Sequence, residues 1–196
     1  MRLATRTAAA LLTTAVVLTG SAVSATADSD TIKDRPSDVI TWPSKNPGDA
    51  ATRLGYQASI DSGVDLRSMR VRHDKKTIAV TAKFSNLGSS TRLYVNLRLN
   101  GKKKITRFVF AQDGTARIIT PKFNVKCTQP LTVRTGQKGL MKVVFKRSCL
   151  GNPRKIKASA FVTTPAFDDM AAPQIGDFGS AGKVGEWSWT KWLKRG

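Results

Sequence analysis

The sequence has few of the residues that usually carry out catalysis. His73 is the only histidine and Glu186 the only glutamate among 196 residues. General acid–base catalysis needs a positioned His, Glu or Asp with a shifted pKa. The central region offers His73, Asp74 and Asp113 at predicted turns, where aspartate is favoured for turn formation alone. Motifs for a nucleophile elbow, a phosphate loop and a zinc site are missing as well. We therefore expect a non-catalytic protein without a cofactor, and a secreted hydrolase is the weaker alternative.

No apolar run in the sequence is long enough to span a membrane. The apolar stretch at residues 8–18 falls short of the roughly 20 residues that a spanning helix needs. It follows Arg2 and Arg6 and precedes Ala25 and Ala27, which have the spacing that a signal peptidase recognises. A membrane anchor is the alternative interpretation. We predict a signal peptide over residues 1–27, cleavage after Ala27, and a secreted protein that is extracellular or associated with the cell wall.

Cysteine is scarce, and Cys127 and Cys149 are the only two. An even number of cysteines in an exported chain indicates a disulfide, and closing this loop would contribute roughly 3 kcal/mol. Two cysteines and one histidine are too few for a structural zinc site. The alternative is a nucleophilic Cys149 assisted by His73, which an oxidising medium disfavours. We expect one disulfide between Cys127 and Cys149.

Acidic residues are scarcest where basic residues are densest. The chain contains 33 Lys and Arg against 13 Asp and Glu, for a formal net charge of +20. Residues 66–160 hold 23 of the basic residues but only two acidic ones, Asp74 and Asp113. A small soluble domain suits a net charge of about 2–8, and stronger self-repulsion weakens folding. The excess favours an anionic partner, either a cell-wall polymer, an acidic polysaccharide or an anionic lipid surface, with nucleic acid as a weaker alternative.

Helical periodicity is missing from the central region, which alternates apolar and polar residues between turn signals. The stretch TRLYVNLRL at residues 91–99 places its aliphatic side chains on one face. This pattern predicts an all-β, two-sheet antiparallel sandwich of jelly-roll type over residues 57–165. Residues 28–56 combine prolines with polar residues and lack a period, so we expect a flexible lead-in. Residues 166–196 are expected to form an irregular, tryptophan-rich basic tail, and the protein is expected to be a monomer.

The pair Asn100–Gly101 predicts a two-residue hairpin turn, because both positions need positive φ. With this pair at the tip, Arg98 faces Lys103, which is repulsive, and Tyr94 faces Arg107, which allows cation–ring stacking. The hairpin and the turn HDKK together predict a polyanion-binding patch made of Arg98, Lys102, Lys103, Lys104, Arg107, Lys75 and Lys76. The alternative is that these charges only protect an exposed hairpin from edge pairing.

Exposed aromatic rings, which serve as stacking platforms for sugars, are few on the predicted outward faces. The hairpin register directs Phe108 inward and leaves Tyr94 as the main outward ring. The tail adds tryptophans among basic residues, and these either pack on the domain or contact a membrane or polymer surface. The stacking candidates are Tyr94, Trp187, Trp189 and Trp192.

Candidate metal ligands are also sparse. Asp61 and Asp65 in the stretch IDSGVDL could support a calcium ion through oxygen coordination. No dense loop of Asp and Asn surrounds them. We therefore expect no metal, with this pair as a weak candidate.

The segment FKRSCLGNPRKIKASAFV, together with DLRSMRVRHDKKTIAVTAKFSNL, resembles a loose group of small secreted actinobacterial proteins. These share a signal peptide, one β-rich domain and a Ser-Cys-Leu-Gly turn before a late strand, which Ser148–Gly151 and Pro153 carry here. The resemblance implies architecture and not an activity. The strand count is distantly similar to that of jelly-roll carbohydrate-binding modules, from which this chain departs in its positive charge and its few outward rings.

These observations favour a secreted, non-catalytic protein that binds anionic envelope or extracellular polymers through a basic β-sheet face. A carbohydrate-binding module for neutral sugars is the second hypothesis. The two differ in their response to salt, because screening weakens the first kind of binding and not the second.

Overall fold

Residues 27–42, 51–164, 174–180 and 187–196 are described by a computed structural model. The predicted signal peptide lies outside the described residues apart from Ala27. Most of the described chain is in strands, because its apolar residues alternate with polar ones. The strands are β1 (Asp28–Lys33), β2 (Ile40–Trp42), β3 (Thr52–Arg53), β4 (Leu66–His73), β5 (Thr77–Phe84), β6 (Asn86–Leu87), β7 (Arg92–Leu99), β8 (Arg107–Gln112), β9 (Thr115–Ile119), β10 (Val125–Arg134), β11 (Gly136–Gln137), β12 (Leu140–Lys146), β13 (Lys155–Thr163), β14 (Gln174–Phe178) and β15 (Leu193–Lys194). The short helix α1 (Tyr56–Asp61) and a 3-10 turn (Arg147–Leu150) complete the described elements.

The strands pair antiparallel along one path, in the order β1-β4-β5-β12-β10-β9-β8-β7-β13-β14-β2-β3. The path passes from one half of the sheet to the other at the long strand β10, where residues 125–130 pair with β9 and residues 131–134 pair with β12. Strand β15 pairs with β13, and the N–H groups of Lys191 and Lys194 donate to carboxylates of β1. The C-terminal residues therefore lie between β13 and β1, and the sheet curls around its own core. Strands β6 and β11 form a separate ribbon.

One cluster of buried side chains fills the space inside the curled sheet. The aliphatic row predicted on β7 is buried, as are the inward rows of β4 and β5. The largest fully buried apolar side chains are Phe84, Phe145, Leu66, Met69, Ile78, Leu93, Leu97, Ile118, Ile156 and Leu193. The prediction of an all-β antiparallel fold is confirmed.

The predicted disulfide is also confirmed. Cys127 of β10 is bonded to Cys149 of the 3-10 turn, with the two Cα atoms 5.6 Å apart. The bond ties the start of β10 to the connection between β12 and β13, so it links strands that belong to different halves of the sheet. Among the described residues, no helix is long and apolar enough to cross a bilayer.

The Asn100–Gly101 turn forms as predicted, with φ angles of 54° and 82°. The N–H of Lys102 closes it by donating to the carbonyl of Leu99 at 3.1 Å. A loop then follows over residues 102–106, and β8 begins only at Arg107. The turn residues therefore specify the turn but not the strand that follows it.

The predicted register of this hairpin is wrong. Tyr94 lies opposite Phe110, whereas the prediction placed it opposite Arg107. The shift is three residues, and an odd shift exchanges the two faces of a strand. Phe108 therefore points outward, while Val109 and Ala111 enter the core. The loop avoids placing Lys103 opposite Arg98, which would set like charges against each other.

The prediction of a flexible lead-in over residues 28–56 is wrong for the described part of that segment. Strand β1 pairs with β4 along six residues, from Asp28 to Lys33. Ile32 is buried, and Val39 and Ile40 are buried before the chain enters β2. The tail is likewise not irregular throughout, since β14 and β15 pair with β13. Backbone pairing to existing strands orders the described parts of both segments even though their own sequences lack a clear period.

Candidate functional site

The connections at one end of the curled sheet are strongly basic. The strand registers bring together residues 74–76, 100–106, 120–124, 147–154 and 194–196. We call these five segments the basic end. They contain one acidic residue, Asp74, and ten basic residues, which are Lys75, Lys76, Lys102, Lys103, Lys104, Lys122, Arg147, Arg154, Lys194 and Arg195.

Arg147 holds two of these segments together from a buried position. Its guanidinium donates to the carbonyl of Lys75 at 2.7 Å and to that of Asn152 at 3.1 Å. Its backbone N–H donates to the carbonyl of Lys76 at 2.9 Å. Arg147 is therefore a structural residue, and it keeps the exposed side chains of Lys75 and Lys76 close to the segment 147–154.

Asn100 joins the hairpin turn to the same segment. Its N–H donates to the carbonyl of Lys155 at 2.9 Å, and its side-chain oxygen accepts the N–H of Arg154 at 2.8 Å. The N–H of Arg195 donates to the carbonyl of Arg154 at 3.0 Å. These contacts border a cleft of about 950 Å³. The cleft is lined by Asn100, Asn152, Arg154, Lys155, Lys194 and Arg195, and we call it the basic cleft.

The charges of the basic cleft repel one another. Lys155 and Lys194 stand directly opposite each other in the β13–β15 pair, an arrangement that destabilises a strand pair. The ammonium of Lys155 lies 5.2 Å from the ring centroid of Trp192, which gives it a cation–π contact. Within the described part of the chain the ion pairs are Arg72–Asp74 at 2.9 Å and Lys191–Asp28 at 3.1 Å. No described carboxylate therefore neutralises the cationic side chains that line the cleft.

Asp28 is an acidic residue beside the basic end, and its carboxylate is already bonded to residues of the C-terminal segment. Its carboxylate accepts the N–H of Lys194 at 2.9 Å and pairs with the ammonium of Lys191. The Lys194 N–H, helped by Lys191, holds the pKa of Asp28 below its ordinary value against the effect of burial. The carboxylate thus remains ionised and fixes the C-terminal segment against β1.

The predicted patch is only partly brought together. Lys75, Lys76 and the lysines at 102–104 are exposed at the basic end. Arg98 does not stand opposite Lys103, because Lys103 lies in the loop before β8. The guanidinium of Arg98 instead lies 3.9 Å from the ring centroid of Trp189. Arg107 donates to the carbonyl of Thr106 at 2.6 Å and does not stack on Tyr94.

Lys194 and Arg195 line the basic cleft although no pattern in the sequence predicted them there. Their region balances acidic and basic residues when it is read along the chain. The basic residues of this region are set apart from its acidic ones only in the fold, because the pairing of β15 with β13 places Lys194 and Arg195 at the basic end. The signal that could have indicated their position is Leu193, a buried aliphatic residue between Trp192 and Lys194 that anchors the segment.

A groove on the outer face of the sheet forms a second concave surface. Its volume is about 640 Å³, and it crosses strands β9, β8, β7, β13, β14 and β2. The groove is lined by Trp42, Tyr94, Asn96, Phe108, Phe110, Ile119, Phe123, Phe161, Phe178 and Trp187. The expectation of few outward aromatic residues is therefore wrong. The three-residue register shift explains the error, because it turns Phe108 and Phe110 outward beside Tyr94.

The rings of the groove pack against one another. Tyr94 and Phe110 have centroids 5.0 Å apart, and Phe161 lies 4.6 Å from Phe178. Trp187 meets Phe178 edge-on at 5.2 Å and keeps 41% of its surface exposed. The groove is mostly apolar, and its one amide side chain is that of Asn96, which donates to Ser159 at 3.3 Å.

The three tail tryptophans have different surroundings. Trp187 lines the groove, Trp189 stacks under Arg98, and Trp192 lies beside Lys155. All three contact the domain through the segment that runs along β13. Of the stacking candidates, Tyr94 and Trp187 therefore share one surface, while Trp189 and Trp192 lie toward the basic end.

The weak metal pair, Asp61 and Asp65, has two separate environments. Asp61 is exposed and accepts a hydrogen bond from Gln57 at 2.9 Å. Asp65 is fully buried and accepts the N–H of Ser37 at 2.8 Å and the hydroxyl of Ser85. Their carboxylates are thus occupied by chain donors. The carboxylates that do converge in the described residues belong to Asp34, Asp38 and Asp177.

No protein-family model, curated protein or solved structure matches this chain. Fold and site therefore define its class by themselves: a disulfide-bonded, antiparallel β protein with a basic cleft at one end and an aromatic groove on one face.

Proposed function

We propose that the protein is a secreted, non-catalytic binding protein that holds an anionic polymer of the cell envelope or its surroundings at the basic end. One observation carries the proposal: besides the structural Arg147, nine basic residues from five segments converge there, and no described carboxylate neutralises those that line the cleft. Association with such a polymer would release its condensed counterions, which favours binding at low salt.

The repulsion inside the basic cleft supports this proposal. Lys155 and Lys194 face each other at the mouth of a cleft that also contains Arg154 and Arg195. Like charges in this geometry weaken the strand pair, and a bound anion would convert the repulsion into attraction. The amide side chains of Asn100 and Asn152 add neutral hydrogen-bonding groups to the same cleft.

The basic end also lies where the expected mature N-terminus would be. Cleavage after Ala27 would leave Asp28 as the first residue and keep all of β1. Since Asp28 is bonded to Lys191 and Lys194, the new ammonium group would join the basic end. N-terminal sequencing of the protein recovered from culture medium tests the expected cleavage position.

Salt-dependent binding to a sulfated polysaccharide and to purified cell wall tests the proposal. We expect log Kd to change linearly with log salt concentration, with a slope of about 0.7–0.9 per charge contact. The triple variant Arg154→Gln, Lys194→Gln, Arg195→Gln should bind more weakly and lower the slope by about 2–3. Vesicles of anionic lipid, assayed in parallel, distinguish a polymer from a lipid surface.

The matched control removes the same charge elsewhere. Lys83, Lys138 and Lys142 are exposed and lie outside the basic end. Their replacement by Gln should leave the slope within about one unit of the wild-type value. Equal losses in both triple variants would show that total charge, and not the basic cleft, determines binding. Binding that does not depend on salt would contradict the proposal altogether.

The aromatic groove favours a second candidate function, the binding of a neutral sugar or glycoside. Stacking on Tyr94 and Trp187 would supply the contact, and Asn96 adds an amide to the lining. Binding of this kind should persist in high salt and be weakened by Trp187→Ala. The Gln triple variant of the basic cleft should leave it unchanged.

A further inference from the structure

Three carboxylates converge at the end of the molecule opposite the basic end. Asp34 and Asp38 lie in the connection from β1 to β2, and Asp177 lies in β14. One oxygen from each comes within 4.8 Å of the others. The three residues are 8%, 5% and 1% exposed, so the cluster is removed from solvent.

Backbone donors hold these side chains in place but satisfy only some of their oxygens. The N–H of Ser180 donates to Asp34 Oδ1 at 2.8 Å, and the N–H of Leu66 donates to Asp177 Oδ2 at 2.7 Å. Asp34 Oδ2 and Asp38 Oδ1 are buried and have no hydrogen-bond donor among the described residues. Leaving a buried acceptor unpaired is costly, and more so when it is charged. The two unpaired oxygens therefore require either a proton shared between the carboxyl groups or a ligand that supplies positive charge.

Burial and crowding disfavour three separate negative charges in this cluster. Burial and the neighbouring Asp38 raise the pKa of Asp34 to about 8. Burial raises the pKa of Asp38, and burial together with Asp34 raises the pKa of Asp177. Arg35 and Arg53 offset part of this effect at Asp38, but both are exposed. Repulsion within such a group is relieved either by shared protons or by a cation.

We propose that Asp34, Asp38 and Asp177 form a binding site for one divalent cation of the calcium type. Carboxylate oxygens are hard ligands, which select calcium, magnesium or manganese over zinc or copper. Calcium–oxygen bonds of about 2.4 Å place opposite ligands about 4.8 Å apart, so the three converging oxygens fit three of the 6–8 ligand positions around a single calcium ion. Magnesium requires shorter bonds of about 2.1 Å and retains water, which suits a dry cluster less well.

The cation would connect segments that are distant in the sequence. Asp34 and Asp38 follow β1, Asp177 belongs to β14, and Leu66 begins β4. Bound calcium would therefore secure the N-terminal strand to the far edge of the sheet. The site is independent of the basic cleft, and its test does not depend on the anionic partner.

Calcium titration of the chelator-treated protein, followed by calorimetry, tests the proposal. We expect one ion per chain and a Kd near about 10⁻⁴–10⁻³ M, the range of extracellular calcium modules. The Tm should rise by about 5–10 °C at a hundredfold excess of calcium over Kd. Magnesium chloride at the same ionic strength should produce a smaller rise.

The variant Asp38→Asn distinguishes a bound cation from shared protons as the way in which the repulsion among the carboxyl groups is relieved. Without calcium the variant should be more stable than the wild type, because one buried charge is gone. With calcium the order should reverse, and the affinity should fall more than about tenfold. Asp113→Asn removes an exposed turn aspartate and should leave the affinity unchanged.

Two results would overturn the proposal. One is a wild-type protein that shows neither heat nor a Tm change with calcium, which would mean that the carboxyl groups share protons instead. The other is an equal loss of affinity in Asp38→Asn and Asp113→Asn, which would reduce the effect to general charge screening. The wild-type titration decides the question even where a variant does not fold.

Discussion

His73 is a buried side chain that is hydrogen-bonded to the C-terminal segment. Its Nδ1 lies 3.1 Å from the carbonyl oxygen of Leu193, so this nitrogen carries the proton and donates. Its Nε2 is buried without a partner among the described residues. The N–H of Gly196 donates back to the carbonyl of His73. His73 therefore has a packing and hydrogen-bonding role at the end of β4.

Burial lowers the pKa of His73, with Arg147 adding to the effect and the Leu193 carbonyl opposing it. The unfolded chain therefore binds a proton at higher pH than the folded one, so stability falls as pH drops below about 6.5. We expect the urea midpoint to fall more between pH 7.5 and 5.0 in the wild type than in His73→Asn. Identical losses in both proteins would show that other groups control this range.

At the scale of elements, the disulfide joins two parts of the curled sheet that pair with different neighbours. Cys127 lies where β10 pairs with β9, and Cys149 lies in the turn that follows β12. The bond therefore limits how far the bent strand can separate from the segment 147–154, which lines part of the basic cleft.

Removal of the disulfide should destabilise the fold without changing it. The variant Cys127→Ser, Cys149→Ser should lose about 3 kcal/mol of unfolding free energy, because the unfolded chain gains loop entropy. This corresponds to a Tm decrease of about 6–12 °C in thermal denaturation. The wild type under reducing conditions should match the variant, and a difference between them would point to an effect of the serines themselves.

At the scale of the whole molecule, the charges are separated between two ends. The basic end holds ten basic residues, whereas Asp34, Asp38, Asp65 and Asp177 lie at the opposite end. Strand direction produces this separation, because alternate connections of an antiparallel sheet lie at the same end. The positive charge of the protein is therefore distributed unevenly, with basic side chains at one end and buried carboxyl groups at the other.

Self-repulsion at the basic end should make stability depend on salt. Raising sodium chloride from 10 to 200 mM shortens the screening length from about 30 Å to about 7 Å. We therefore expect the Tm to rise by a few degrees. The Gln triple variant of the basic cleft should show a smaller rise, since part of the repulsion is already absent. A Tm that is unchanged or falls would contradict this account.

Local patterns in the sequence predicted several features correctly. Period-two alternation predicted the β fold and the inward rows of β4, β5 and β7, because alternation is a property of the extended backbone. The Asn100–Gly101 pair predicted its turn through positive φ. The two cysteines allowed a single intramolecular pairing. Each of these features depends on neighbouring residues or on a simple count.

Other features depended on which strands pair and in which register. The hairpin register placed Phe108 on the wrong face, and this error hid the aromatic groove. A segment without a period, such as residues 28–33, still forms a strand when an open edge of β4 is available to it. The local pattern of apolar residues does not predict this strand, because the strand that it pairs with is elsewhere in the chain.

The sequence by itself determined the β architecture, the disulfide and the excess of positive charge, since these follow from backbone alternation and composition. Only the tertiary structure decided where the charges and rings meet. The basic cleft combines residues near 100, 154 and 195, and the carboxylate cluster combines residues near 34 and 177. The physical reason is that strand pairing, driven by burial of the common core, places side chains together across long sequence separations.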